Sequence, residues 1–147
     1  MSPIHTLWHV IKSRVCENRG LSHSAFHEGS EQVSCIKNRS LQIFILEMIL
    51  HKHRQQYATA FEPLKNEKAL HHLIFTKTMW KPSEIRQLSL ADSLFIIQDE
   101  LRIDKLPADI APFIESLNLP AVAFIFEHLL DEDWVPKENS IFLASMK

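Results

Sequence analysis

The clearest order in the chain is a helical spacing of apolar side chains close to its N-terminus. Ile4, Leu7, Trp8, Ile11 and Val15 recur at intervals of three and four, so a helix carries them on one face. Ser2 is placed to cap that helix, Pro3 suits its first position, and Gly20 marks its stop. Leu41 to Leu50 is apolar on nearly every side, interrupted by Gln42 and Glu47, which predicts a central, buried element. Its continuation through Tyr57 and Phe61 to Pro63 favours a helix; a strand from Gln42 to Leu50 is the alternative. Between these two elements, residues 21–39 are rich in Ser, His, Glu and Asn around Gly29, and predict a mobile loop with at most one short helical turn.

Further along, Asn66 is a candidate cap for a helix bearing Leu70, Leu73 and Ile74, and Pro82-Ser83 marks a break. Ser89 stands before a stripe of Leu90, Leu94, Ile97 and Leu101, with Asp92 three residues after the cap. Asp109 as a cap places Pro112 in a first turn, where a missing N–H does no harm, with Ile110, Phe113, Ile114 and Leu117 facing inward. A last helix is expected to open at Pro120 and run through Val122, Phe124, Ile125 and Leu129, stopping near the acidic run Asp131-Glu132-Asp133. The tail from 134 to 147 contains Ile141-Phe142-Leu143, too apolar to stay in water, and is expected to dock on the body or on a partner.

These patterns predict a mainly α fold: a single compact helical domain over 1–147 with five to six helices. The competing reading is α/β, with a small sheet built from the runs at 73–75, 95–97, 122–126 and 141–143. Abundant Leu and Ile, scarce glycine and the absence of hairpin dipeptides favour the helices. At 147 residues, 46% hydrophobic and 23% charged, the chain is long enough to build a core without disulfides or a structural metal. No apolar run approaches the roughly 20 residues that a membrane-spanning helix requires, so no membrane partner is expected. With two cysteines, Cys16 and Cys35, and a start that does not read as a signal peptide, free thiols and a cytoplasmic location are expected.

Glycine decides more than any other residue type. Gly20 and Gly29 are the only two, and neither belongs to a phosphate loop, a dinucleotide fingerprint or a hydrolase elbow. No cofactor is expected, and the balance points away from an enzyme. Charge is arranged unevenly: residues 1–90 hold 12 Lys+Arg against 7 Asp+Glu, and residues 91–147 hold 4 against 11. Either the two parts neutralise one another inside the fold, or they present an electrostatic face to a partner or to a second copy, making a homo-oligomer.

Nine histidines include two pairs at i, i+4, His5 with His9 and His23 with His27; together with Glu28 these are the candidate metal ligands. Cys16 lies about 10 Å along the axis from His9 and cannot complete that pair. His51 and His53 point to opposite sides of a helix, and His71 and His72 do not converge. Lys52, Arg54, Lys65 and Lys68, with Arg14 and Arg19, are the residues a nucleic-acid reading would use, but a sequence pI near 6.5 and the lack of a dense basic cluster argue against nucleic acid as a partner.

Asp92-Ser93-Leu94 resembles the short motif at which acyl carrier proteins receive their phosphopantetheine arm. The match spans three residues, and Leu90-Ala91 stands where that family usually has a glycine. The resemblance implies a modified, accessible Ser93.

The function expected from all of this is a non-catalytic cytosolic protein that binds another protein: an inhibitor, an adaptor or an antitoxin-like masking protein. Asp131, Glu132, Asp133, Trp134 and Phe142 are the candidate contact surface, combining carboxylates with aromatic anchors. The alternatives are a metal-binding enzyme or sensor using the paired histidines, and a nucleic-acid-binding regulator.

Overall fold

The computed structural model describes residues 2–21, 31–118, 124–144 and 146. Ser2 caps the first helix, α1 (Pro3–Glu17), by accepting from the His5 amide, and Leu7, Trp8, Ile11, Val15 and Cys16 are buried along it. Gly20 takes the left-handed conformation at φ +68° just beyond. The Leu21 amide returns to the Cys16 carbonyl at 3.0 Å, closing off the helix end.

The central element is α2 (Glu31–Tyr57), 27 residues long and therefore about 40 Å from end to end. It begins ten residues before the apolar run, so the loop expected over 21–39 is helical from Glu31 onward; 22–30 lie outside the described residues. The reason is tertiary. Arg39 and Ser40, which look like surface residues in sequence, are buried in the helix. At the other end α2 stops at Tyr57, short of the expected Pro63, and Phe61 is left exposed in the following loop.

Three single-turn pieces and four longer helices follow α2 along the chain. These are α3 (Glu67–Thr78), α4 (Pro82–Ile85), α5 (Leu90–Ile96), a 3-10 turn at Ile103–Lys105, α6 (Ala111–Ser116), a second 3-10 turn at Asp131–Asp133, and α7 (Pro136–Leu143). Ser89 caps α5 through a 3.1 Å bond from the Asp92 amide, and Pro112 sits in the first turn of α6, as the sequence predicts. The α6 cap is Ile110, however, not Asp109. Met79 ends α3 in a left-handed conformation.

The molecule is mainly helical in one compact domain, with seven α-helices and no strand among the described residues. The count exceeds the expected five or six, because the break at Pro82 holds a helical turn of its own and the tail forms α7. The runs at 73–75 and 141–143, candidates for strands, lie in α3 and α7. The helix expected from Pro120 is absent over 124–130, where the chain is irregular; 119–123 lie outside the described residues.

Packing is centred on α1 against α2, with α7 laid across both. Trp8 of α1, Phe44 of α2 and Phe113 of α6 meet in an aromatic cluster with centroid separations of 5.5 to 6.4 Å. Helix α7 packs on α1 and α2: Leu143 is buried, Phe142 is half-buried against the core, and Ile141 points to solvent. No helix among the described residues is long and apolar enough to cross a membrane.

Candidate functional site

The acidic run is split by its 3-10 turn into an outside and an inside. Asp131 and Glu132 are exposed, whereas Asp133 is 0% exposed. Arg19 donates Nη1 and Nη2 to the two Asp133 oxygens at 2.7 and 2.9 Å, Arg39 donates Nε at 2.8 Å, and Asn18 adds a bond of 3.0 Å. Burial pushes the Asp133 carboxyl up, but the bonds from Arg19, Arg39 and Asn18 together outweigh it and hold its pKa below the ordinary aspartate value. Asp133 is an interior ion-pair anchor, which corrects its expected place on a contact surface. Trp134 and Phe142 are likewise half-buried against the core.

Part of the uneven charge of the sequence is neutralised within the fold. Arg14 pairs with Glu138, Arg19 and Arg39 with Asp133, and Lys77 with Asp99 and Glu100. Each joins a base of the first 90 residues to an acid of the last 57, the neutralising arrangement that the sequence left open.

Of the candidate metal ligands, His5 and His9 are exposed on α1, and the His5 ring meets Phe113 edge-on at 4.7 Å. His23, His27 and Glu28 lie outside the described residues. No group of three His, Cys, Asp or Glu among the described residues converges on a point that could hold a metal. The structure instead joins His53 of α2 to His72 of α3, Nε2 to Nδ1 at 2.8 Å, with the Tyr57 ring tilted against both. Burial, and next the neighbouring His72, bring the His53 pKa down to about 4. Spacing within one helix cannot reveal a pair formed between two. Ser93 is only 3% exposed in α5, so the three-residue likeness to acyl carrier proteins does not offer a hydroxyl for modification.

The feature the sequence did not reveal is a groove of about 770 Å³ between α2, α5 and the irregular segment 124–130. Leu41, Ile45 and Leu94 are buried at its floor. Its rim carries four large apolar side chains in water: Phe95 (71% exposed), Ile125 (67%), Ile103 (47%) and Leu129 (38%). Isolated exposed hydrophobes are ordinary, but four around one depression form a patch of the kind that marks an interaction site.

The wall formed by 124–130 is held from α2. Asn38 Nδ2 donates to the Phe124 carbonyl at 2.9 Å, and Arg39 Nη2 donates to the Leu130 carbonyl at 3.1 Å. Arg19 lies over the Phe126 ring at 4.0 Å. The Asp133 clamp therefore positions this wall. Carboxylates flank the lining residues along the chain: Asp92 beside Ala91, Glu127 between Ile125 and Leu129, and Glu132 three residues on. All three are exposed, and none forms an ion pair among the described residues. Comparison with family models, with curated proteins and with solved structures finds no match to the chain, so the site is read from its own geometry.

Proposed function

We propose that this chain is a non-catalytic protein-binding regulator, an adaptor, inhibitor or masking protein, that holds an amphipathic helix of its partner in the groove between α2 and α5. The observation that carries this reading is the ring of Phe95, Ile103, Ile125 and Leu129 exposed around one apolar depression. A helix of about 10 Å diameter presents anchors at i, i+3, i+4 and i+7, the usual way of filling such a groove. The charges in the lining, Arg102 and Asp104, pair with each other, and the exposed Asp92, Glu127 and Glu132 near the lining residues in the chain favour a partner helix with basic residues beside its apolar stripe. Cys16 and Cys35 are both buried as free thiols, in keeping with a reducing, cytoplasmic setting.

The test uses a synthetic helical peptide with leucines on one face and lysines on the others, followed by fluorescence anisotropy. Saturable binding is expected, and Phe95→Asp with Ile125→Asp should weaken it tenfold or more while the melting temperature stays put. A glutamate-flanked peptide with the same apolar face should bind less well. Equal binding by the double variant would place the contact elsewhere. Sedimentation of the free protein distinguishes a second copy of this chain as the occupant: a dimer dissociated by the same two substitutions would replace the partner helix.

A further inference from the structure

On a different face, the C-terminal half of α2, the loop before α3 and helix α7 border an open cavity of about 440 Å³. Its lining brings together Arg54, Lys65, Lys137 and His51, with Asn66 and Ser140, and it includes no carboxylate among the described residues. Leu143, Ala144 and Met146 form an apolar wall. The cations come from three separate elements, and their convergence is held in place by the backbone. Arg54 donates Nε to the Leu64 carbonyl at 2.8 Å and Nη2 to the Asn66 carbonyl at 3.1 Å. Those two residues have positive φ, 56° and 57°, and Lys65 lies between them.

Arg54 feels the buried Glu47, which burial itself pushes toward the neutral form, and no ion pair joins the two. Lys65 and Lys137 form no ion pair among the described residues. Two uncompensated cations beside a guanidinium therefore match a dianion, and the apolar wall matches a hydrophobic body attached to it. We propose that this cavity binds a small phosphate monoester, its phosphate held by Lys65, Lys137 and Arg54 and its organic part against Leu143 and Met146. The volume lies within the range of small-molecule sites, and charge-assisted bonds to phosphate oxygens are the strong kind.

The intact protein is titrated at low salt with phenyl phosphate, inorganic phosphate and phenol, following the amide NMR signals of Lys65, Asn66 and Ser140. Phenyl phosphate should shift them saturably, at least threefold more tightly than inorganic phosphate, and phenol should leave them unmoved. Lys65→Met with Lys137→Met should weaken phenyl phosphate tenfold or more, with an unchanged circular dichroism melt. Absence of saturation, equal affinity in the double variant, equal affinity for the two phosphates, or binding of phenol would each overturn the assignment. Capture on phosphatidic acid vesicles without binding of the soluble ester would also overturn it, in favour of a membrane surface.

Discussion

Two carboxylates join the C-terminal part of the chain to α1 and α2, and both are 0% exposed, yet their surroundings are opposite. Asp133 is met by two guanidiniums and an amide within 3.0 Å. Glu47, midway along α2, has neither oxygen hydrogen-bonded. Two donors that pull on it, Asn139 Nδ2 and Trp134 Nε1, are themselves buried without a hydrogen-bond partner. Burial alone therefore does not decide what an acid does in a core. A carboxylate with its donors in place stays ionised and locks a segment, whereas one without them is driven toward its neutral form. Asp133 sits below the ordinary aspartate range, while burial pushes Glu47 above the glutamate range against the weaker opposing pull of Asn139, Arg54, Trp134 and Arg14.

The strongest way to break this contrast is Asp133→Ala. It leaves Arg39, which is 3% exposed, as an uncompensated buried charge, and it frees the 124–130 wall. A loss of about 3–5 kcal/mol is expected. For a domain of this size that lowers the melting temperature by about 10 °C. A loss under about 1 kcal/mol by urea unfolding would mean that water takes the carboxylate's place and that the clamp is ornamental.

Glu47→Gln should act in the other direction, stabilising the protein at neutral pH by about 1 kcal/mol, since an amide avoids the buried charge. The pH profiles separate the two acids further. Asp133 has a folded pKa below its unfolded one. Its contribution is therefore complete above about pH 4 and is lost as pH falls through the depressed folded value. Glu47 has a folded pKa above its unfolded one, so its contribution is favourable below the unfolded value and declines as pH rises to the raised folded value. The stability difference between Glu47→Gln and the native chain should therefore widen from acid toward neutral pH, and that for Asp133→Asn should close at low pH. Urea midpoints across that range check both; a Glu47→Gln difference independent of pH would show that Glu47 ionises at its ordinary value.

How much of this was legible in the sequence depends on whether the decisive interaction is local. Ser2, Pro3, the stripe from Ile4 to Val15, the Ser89 cap and the position of Pro112 all act within one helical turn, and the spacing reveals them. The start of α2 at Glu31 and the fate of the acidic run depend on Arg39 meeting Asp133, 94 positions apart. Without that partner Arg39 reads as solvated, and Asp131 to Asp133 read as a surface run. The groove is hidden for the same reason. Its floor was visible as core, but its wall is an irregular segment whose apolar residues fit a helical pattern, and only the bonds from Asn38 and Arg39 show that it runs otherwise.

The smallest effect discriminates most finely. If the Trp134 indole N–H does not bond Glu47, removing it should cost the same whether or not the carboxylate is present. Trp134→Phe alone also trims a half-buried ring, so its stability change mixes lost packing with any lost hydrogen bond. A double-mutant cycle with Glu47→Gln cancels the packing part, because that cost appears on both sides. The coupling expected is under about 0.5 kcal/mol, the level found for pairs that do not interact. A hydrogen bond to a charged group would give about 1.5–3 kcal/mol. Coupling of that size would turn Glu47 into a second clamp, ionised and held like Asp133, and Glu47→Gln would then lose its stabilising sign. The two carboxylates would differ only in the strength of their donors, no longer in whether they have any.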